Sequence, residues 1–108
     1  MISLIEQHRP EVATLCSRFG VQSLDAFGSA ADGAFDPEHS DIDFLVAFRT
    51  DDAGNLIHRY FGLQEALEQL FGRKIDLVTA SALNNPYFIA AVNQSRQTVY
   101  ASARAQVA

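Results

Sequence analysis

A small α/β (α+β) domain is what this chain predicts, built on a mixed β-sheet with helices mainly on one face. Three observations predict it. Apolar residues recur with helical spacing in some segments and alternate with polar ones in others, in the order α, β, turn, β, α, β, α. The first two strand segments are joined by the loop Gly28 to His39. The second and third are joined by a helical segment, which favours a crossover and hence a parallel pair in the sheet. At 108 residues and 48% hydrophobic composition, one domain with its own core is expected, spanning 1–102 with a frayed tail at 103–108.

Each element has a local reason. Residues 2–8 suit a short helix. Pro10 fits the first turn of a second helix, where its missing N–H would go unpaired anyway. Val12, Leu15, Cys16 and Phe19 share one face of that helix, and Gly20 ends it. Val21 to Phe27 reads as a strand, made mixed by Gln22 and Asp25. Gly28, Gly33 and Pro37 punctuate the following loop, with Ser29 to Asp32 expected as one helical turn. Ser40 to Phe48 is the second strand and Arg49 to Asn55 a polar turn. Leu56, Tyr60, Leu63, Leu67 and Leu70 mark the central helix, which Gly72 stops. Lys74 to Thr79 is a third strand, Ser81 caps a turn before Pro86, Tyr87 to Gln94 is helical, and Thr98 to Ala101 is extended. Tyr60, Phe61 and Phe71 are expected in the core rather than as a base-stacking platform.

Composition excludes several classes of function. The net charge of −5 argues against direct nucleic-acid binding, which favours a basic surface. A single cysteine, Cys16, permits no internal disulfide and no cysteine-based zinc site, and its place in an apolar pattern makes it a small core residue. No apolar run approaches the ~20 residues of a membrane helix. The N-terminus lacks the basic start and apolar stretch of a signal peptide, so a cytoplasmic protein with no membrane partner is expected.

The chemistry concentrates between Gly28 and Val46. If Ser40 to Phe48 is a strand, Asp41 and Asp43 share one face while Ile42, Phe44, Val46 and Phe48 share the other. At roughly 5 Å and an effective dielectric of about 20, two such carboxylates repel by about 3 kcal/mol. A hard divalent cation with oxygen ligands is the usual compensation. Asp76, between Ile75 and Leu77 in the third strand, adds a third carboxylate that could converge on the same patch. Such convergence is what two-metal phosphoryl chemistry needs. The bland alternative makes Asp41 and Asp76 solvated strand-end acids and pairs Asp43 with an arginine. Upstream, Gly28 lets the backbone approach a ligand, and Ser29 offers a hydroxyl and an N–H at the start of a helical turn, a ready anion site. By itself a Gly-Ser turn is common; followed closely by Asp-x-Asp on a strand, it points to a phosphate site. His8, His39 and His58 show no zinc spacing, and His39 is expected as a solvated loop residue. Lys74 is expected as a solvated strand-edge charge, and Asn84-Asn85-Pro86-Tyr87 as a helix start.

Taken together, Gly28-Ser29-x-Ala31-x-Gly33, Ser40-Asp41-Ile42-Asp43-Phe44-Leu45-Val46 and Ile75-Asp76-Leu77-Val78 resemble the minimal nucleotidyltransferase (MNT) family of the DNA polymerase β-like nucleotidyltransferase superfamily. The resemblance runs from about His8 to Ala101. It implies a polymerase β palm-like fold and transfer of a nucleotide from ATP or another NTP. It further implies that Gly28, Ser29 and Gly33 hold the nucleotide phosphates, and that Asp41, Asp43 and Asp76 bind Mg²⁺ at two sites. Asp76 would help to activate the acceptor hydroxyl. Many members of the family are antitoxins encoded beside a helical HEPN-domain toxin, some transferring AMP from ATP to a toxin tyrosine. Where the family usually has Gly-Ser-x-Ala-Arg-Gly, this chain has Asp32 at the arginine position, an anion in place of a cation beside the expected phosphate pocket.

Three functions follow. The first is Mg²⁺-dependent transfer of AMP to a hydroxyl of a HEPN partner. The second is an antitoxin that masks its partner through a degenerate nucleotide site, which Asp32 motivates. The third is a nucleotidyltransferase for a small molecule, which a homo-oligomer could enclose.

Overall fold

The computed structural model describes residues 3–28, 42–49, 55–79 and 84–102. Within them the chain runs α1 (Ser3–Gln7), α2 (Arg9–Arg18), β1 (Val21–Phe27), β2 (Ile42–Phe48), α3 (Leu56–Phe71), β3 (Ile75–Thr79), α4 (Pro86–Ser95) and β4 (Gln97–Ala101). The strands form one sheet in the order β3-β2-β1-β4. β1 is antiparallel to both β2 and β4, and β2 is parallel to β3 across the helical connection. The mixed sheet expected from the connection types is therefore present.

Alternation along the strands divides the sheet into two faces. Leu24, Ala26, Ile42, Phe44, Val46, Ile75 and Leu77 look toward α1, α2 and α3, which bring Ile5, Val12, Cys16, Leu63, Leu67 and Phe71 to the same core. A smaller cluster on the other face joins Phe27 and Leu45 to Val92 of α4, with Val78 beside it. Helices thus lie mainly on one face, and α4 alone of the described helices covers the second. Complete burial of a leucine or phenylalanine stabilises by about 1.5–3 kcal/mol, so the larger cluster carries most of the fold.

The helix ends follow their sequence signals. Asn55 caps α3 by accepting the Ile57 N–H at 2.8 Å, and Asn85 caps α4 by accepting from Tyr87 and Phe88. Gly72 closes α3 in the left-handed conformation, φ 66°. Pro10 and Pro86 each occupy a first-turn position. The second strand begins at Ile42 among the described residues. Ser81 and the turn Ser29 to Asp32 lie outside them, as does the tail from 103.

One apolar residue of α3 departs from expectation. Phe61 is 60% exposed, so it does not belong to the core. The inward stripe is carried by Leu63, Leu67 and Phe71, and a residue two positions before Leu63 points about 200° away from it. Phe61 instead rests edge-on against Tyr60, whose own ring packs partly on the core.

The opposite flank of α3 has a different task. Tyr60, Gln64 and Glu68 recur at i, i+4 and i+8, one line along a helix. The Tyr60 hydroxyl donates to the Leu77 carbonyl. Gln64 donates to the Ile75 carbonyl at 3.1 Å, and Glu68 accepts the Ile75 N–H at 3.4 Å. β3 is an edge strand, and these side chains occupy backbone groups that a further strand would otherwise pair. One residue before Tyr60, Arg59 donates to the carbonyls of Phe19, Gly20 and Arg49 and lies 5.1 Å from the Phe48 ring centroid, tying the end of α2 to the end of β2. Among the described residues, no helix is long and apolar enough to cross a membrane.

Candidate functional site

The site assembles where β1 ends and where β2 and β3 begin. In the parallel register Asp43 stands opposite Asp76, so both carboxylates leave the sheet on the α4 side, on strands about 4.8 Å apart. Asp43 is half-buried and Asp76 exposed. On its other side Asp43 is the cross-strand partner of Phe27. Gly28 follows directly, with φ +65°, a conformation that L side chains rarely adopt. A Cβ built on Gly28 would lie 2.8 Å from Asp43 Oδ2. Glycine therefore leaves room for the carboxylate, a reason for this residue that sequence reading did not anticipate.

Of the sequence-derived candidates, Gly28, Asp43 and Asp76 are thus brought together. Asp41, Ser29 and Gly33 lie outside the described residues, as do Asp32 and His39. Among the described residues no three metal-ligating side chains cluster. The described Asp43–Asp76 pair offers hard carboxylate oxygens on one patch, the donor type that Mg²⁺ and Ca²⁺ take.

Beyond the pair, other groups serve structure. Burial, and then the negative charge of Asp76, push the Tyr60 phenol above its usual pKa, which keeps it protonated as a donor to Leu77. His8 contacts the Leu4 carbonyl through Nδ1 at 2.9 Å and packs against Phe71, and His58 is exposed. Burial pushes the Cys16 thiol up to about 12, as suits an inert core residue. Lys74 is exposed at the strand edge.

Sequence reasoning missed the supports on α4. Asp25 is buried in β1 and pairs with Arg96 at 2.8 Å. The signal was available, since an acid between Leu24 and Ala26 in a strand calls for a cationic partner. Ser95, the last residue of α4, accepts the Gly28 N–H at 3.0 Å, and a contact spanning 67 positions carries no sequence signal. Phe88 meets Phe27 edge-to-face with centroids 6.1 Å apart. A cavity of ≈ 300 Å³ between α4 and the sheet is lined by Ser23, Asp25, Leu45, Ile89, Asn93 and Arg96, among others.

Comparison with known proteins bears on the family and the fold. The model of the nucleotidyltransferase domain family matches residues 9–99. The protein adenylyltransferase MntA of Thermococcus cleftensis is 37% identical over 83 residues, covering 77% of this chain and 77% of that protein. A solved structure assigned to the minimal nucleotidyltransferases superimposes with a TM-score of 0.70 at 33% identity, covering 85% of this chain and 89% of the other. At 16% identity, where only the fold is compared, a complex of tri-AMPylated Shewanella oneidensis HEPN toxin with MNT antitoxin superimposes with a TM-score of 0.62, covering 95% of this chain and 77% of the other.

Proposed function

The chain belongs to the nucleotidyltransferase domain family, and from that premise we propose that it transfers AMP from ATP to a hydroxyl of a HEPN-domain toxin, acting in the cytoplasm as the antitoxin of the pair. The observation that carries this reading is the register of Asp43 with Asp76 beside the Gly28 turn. The adenylyltransferase name of the MntA relative and the HEPN–MNT complex with the same fold support the reaction and the partner.

In this reading Asp43 and Asp76, with Asp41, would hold Mg²⁺ at two sites, and Gly28, Ser29 and Gly33 would hold the nucleotide phosphates. Mg²⁺ held there would neutralise triphosphate charge and lower the pKa of the attacking hydroxyl. Asp76, the more exposed of the described pair, receives the proton of the acceptor hydroxyl. The acceptor oxygen bonds to the α-phosphorus, the bond to the bridging oxygen breaks, and pyrophosphate leaves. Positioning and charge neutralisation supply most of the catalysis in such transfers.

The test is transfer of radiolabelled AMP to the purified partner. Asp41→Asn with Asp43→Asn should abolish labelling while the variant still unfolds cooperatively, and undiminished labelling would defeat the proposal. Asp32 favours a second reading, a masking antitoxin with a degenerate nucleotide site. Stoichiometric neutralisation of the partner without ATP, together with no calorimetric heat from Mg-ATP, would select it over the first. A small-molecule acceptor, the third reading, would show as labelling of a low-molecular-weight product when no partner protein is present.

A further inference from the structure

We infer that Ser95 is a positioning residue of the nucleotide site: its hydroxyl, delivered by the end of α4, sets the Gly28 turn against the Asp43 carboxylate. The inference rests on the nucleotidyltransferase reading and adds to it a residue outside every motif that defines the site.

The contact is direct. Ser95 Oγ accepts the Gly28 N–H at 3.0 Å in a partly buried setting. Gly28 sits at φ +65°, and the side of its Cα where a Cβ would stand faces Asp43, leaving no space for a Cβ beside Oδ2. A small rotation of this peptide would bring the backbone into the carboxylate or draw it away. The amide needs a fixed acceptor to hold that orientation, and the described β1–β2 and β1–β4 pairings end before it, at Phe27 opposite Asp43 and at Ala26 opposite Gln97.

Ser95 is itself held. The next residue, Arg96, leaves the helix in extended conformation and pairs with buried Asp25 at 2.8 Å. Gln97 then enters β4 opposite Ala26. Three consecutive residues thus fasten the end of α4 to the last part of β1, and the first of them reaches the turn. A hydroxyl suits the position because it accepts from the amide and keeps a proton to donate elsewhere. Alanine would leave the amide without its acceptor while removing no part of either apolar cluster.

The experiment uses the full chain and Mg-ATP as probe. Backbone amide exchange at Gly28 is followed by NMR, and Mg-ATP affinity by calorimetry, for wild type, Ser95→Ala and Ser95→Thr. Ser95→Ala should accelerate Gly28 exchange at least tenfold and weaken Mg-ATP about tenfold, and Ser95→Thr should restore both. Mg-ATP affinity unchanged in Ser95→Ala, or not restored by threonine, overturns the positioning role. Wild type that binds no Mg-ATP overturns the nucleotide reading itself and this inference with it, and the wild-type arm alone identifies that outcome. If Ser95→Ala does not fold, Ser95→Cys replaces it with a similar volume and a weak acceptor, under the same expectations.

Discussion

Replacing Gly28 by alanine should cost both stability and the proposed metal binding, for reasons that can be separated. The first cost is conformational. Gly28 sits at φ +65°, and placing an L side chain in the left-handed region costs about 1–2 kcal/mol. The second is steric. The new Cβ would meet Asp43 Oδ2 at 2.8 Å, so the carboxylate must turn away from its present position. An off-rotamer displacement of that kind costs about 0.5–1.5 kcal/mol. Together they amount to about 1.5–3.5 kcal/mol, which for a domain of this size lowers Tm by roughly 6 °C or more. Urea denaturation of Gly28→Ala, Asp43→Ala and the double variant separates the two. Removing the Asp43 carboxylate abolishes the steric share, so the double variant should be about 1 kcal/mol more stable than the sum of the singles predicts. Gly28→Asn, which tolerates the left-handed region better, should keep the steric share and lose much of the conformational one. In a Mg²⁺ titration Gly28→Ala should bind more weakly than wild type, because its carboxylate has been displaced. A Gly28→Ala protein within 0.5 kcal/mol of wild type, or strict additivity with Asp43→Ala, would refute the argument that glycine makes room for this side chain.

Two further outcomes follow from buried groups. Arg96→Met strands the Asp25 carboxylate inside the protein and should cost about 2–3 kcal/mol, reduced from the full value for a broken buried pair because Arg96 is itself 44% exposed. Asp25→Asn should cost less, since Arg96 can turn to solvent, and in urea denaturation the double variant should be more stable than Arg96→Met alone; strict additivity would show that the two side chains are not coupled. Cys16 gives a pH dependence whose sign is fixed. Its folded thiol is pushed up to about 12 from the ordinary 9.0, so its contribution is fully present below pH 9 and is lost as pH rises from 9 toward 12. By pH 10 the loss is about 1.4 kcal/mol, and Tyr60, also raised, acts in the same direction. Cys16→Ala should therefore lose less stability than wild type between about pH 8.5 and 10, and parallel decline of the two would contradict the assignment.

Much of this could be read before any coordinates, and the reason is locality. Proline in the first turns of α2 and α4, the Asn85 cap and the Gly72 stop act within a few residues of themselves, so the helix ends were visible. Alternation in β2 put Asp43 opposite the core residues Ile42, Phe44 and Val46. A helix between β2 and β3 implied a parallel pair, although that Asp76 would align with Asp43 depended on a register that spacing alone does not fix. What escaped was long-range or shape-dependent. Nothing near Ser95 announces Gly28. Gly28 was read as a residue for approaching a ligand, whereas its closest neighbour is a side chain of the same protein. Phe61 was assigned inward because a large aromatic ring usually is, but its angle on the helix wheel outweighed its hydrophobicity.

The polar flank of α3 has a consequence for how this molecule meets others. With Tyr60, Gln64 and Glu68 seated on the rim of β3, that side of the sheet is shut to recruitment of another chain's strand. The same arrangement sets the Tyr60 hydroxyl on the strand that carries Asp76 without burying that exposed carboxylate.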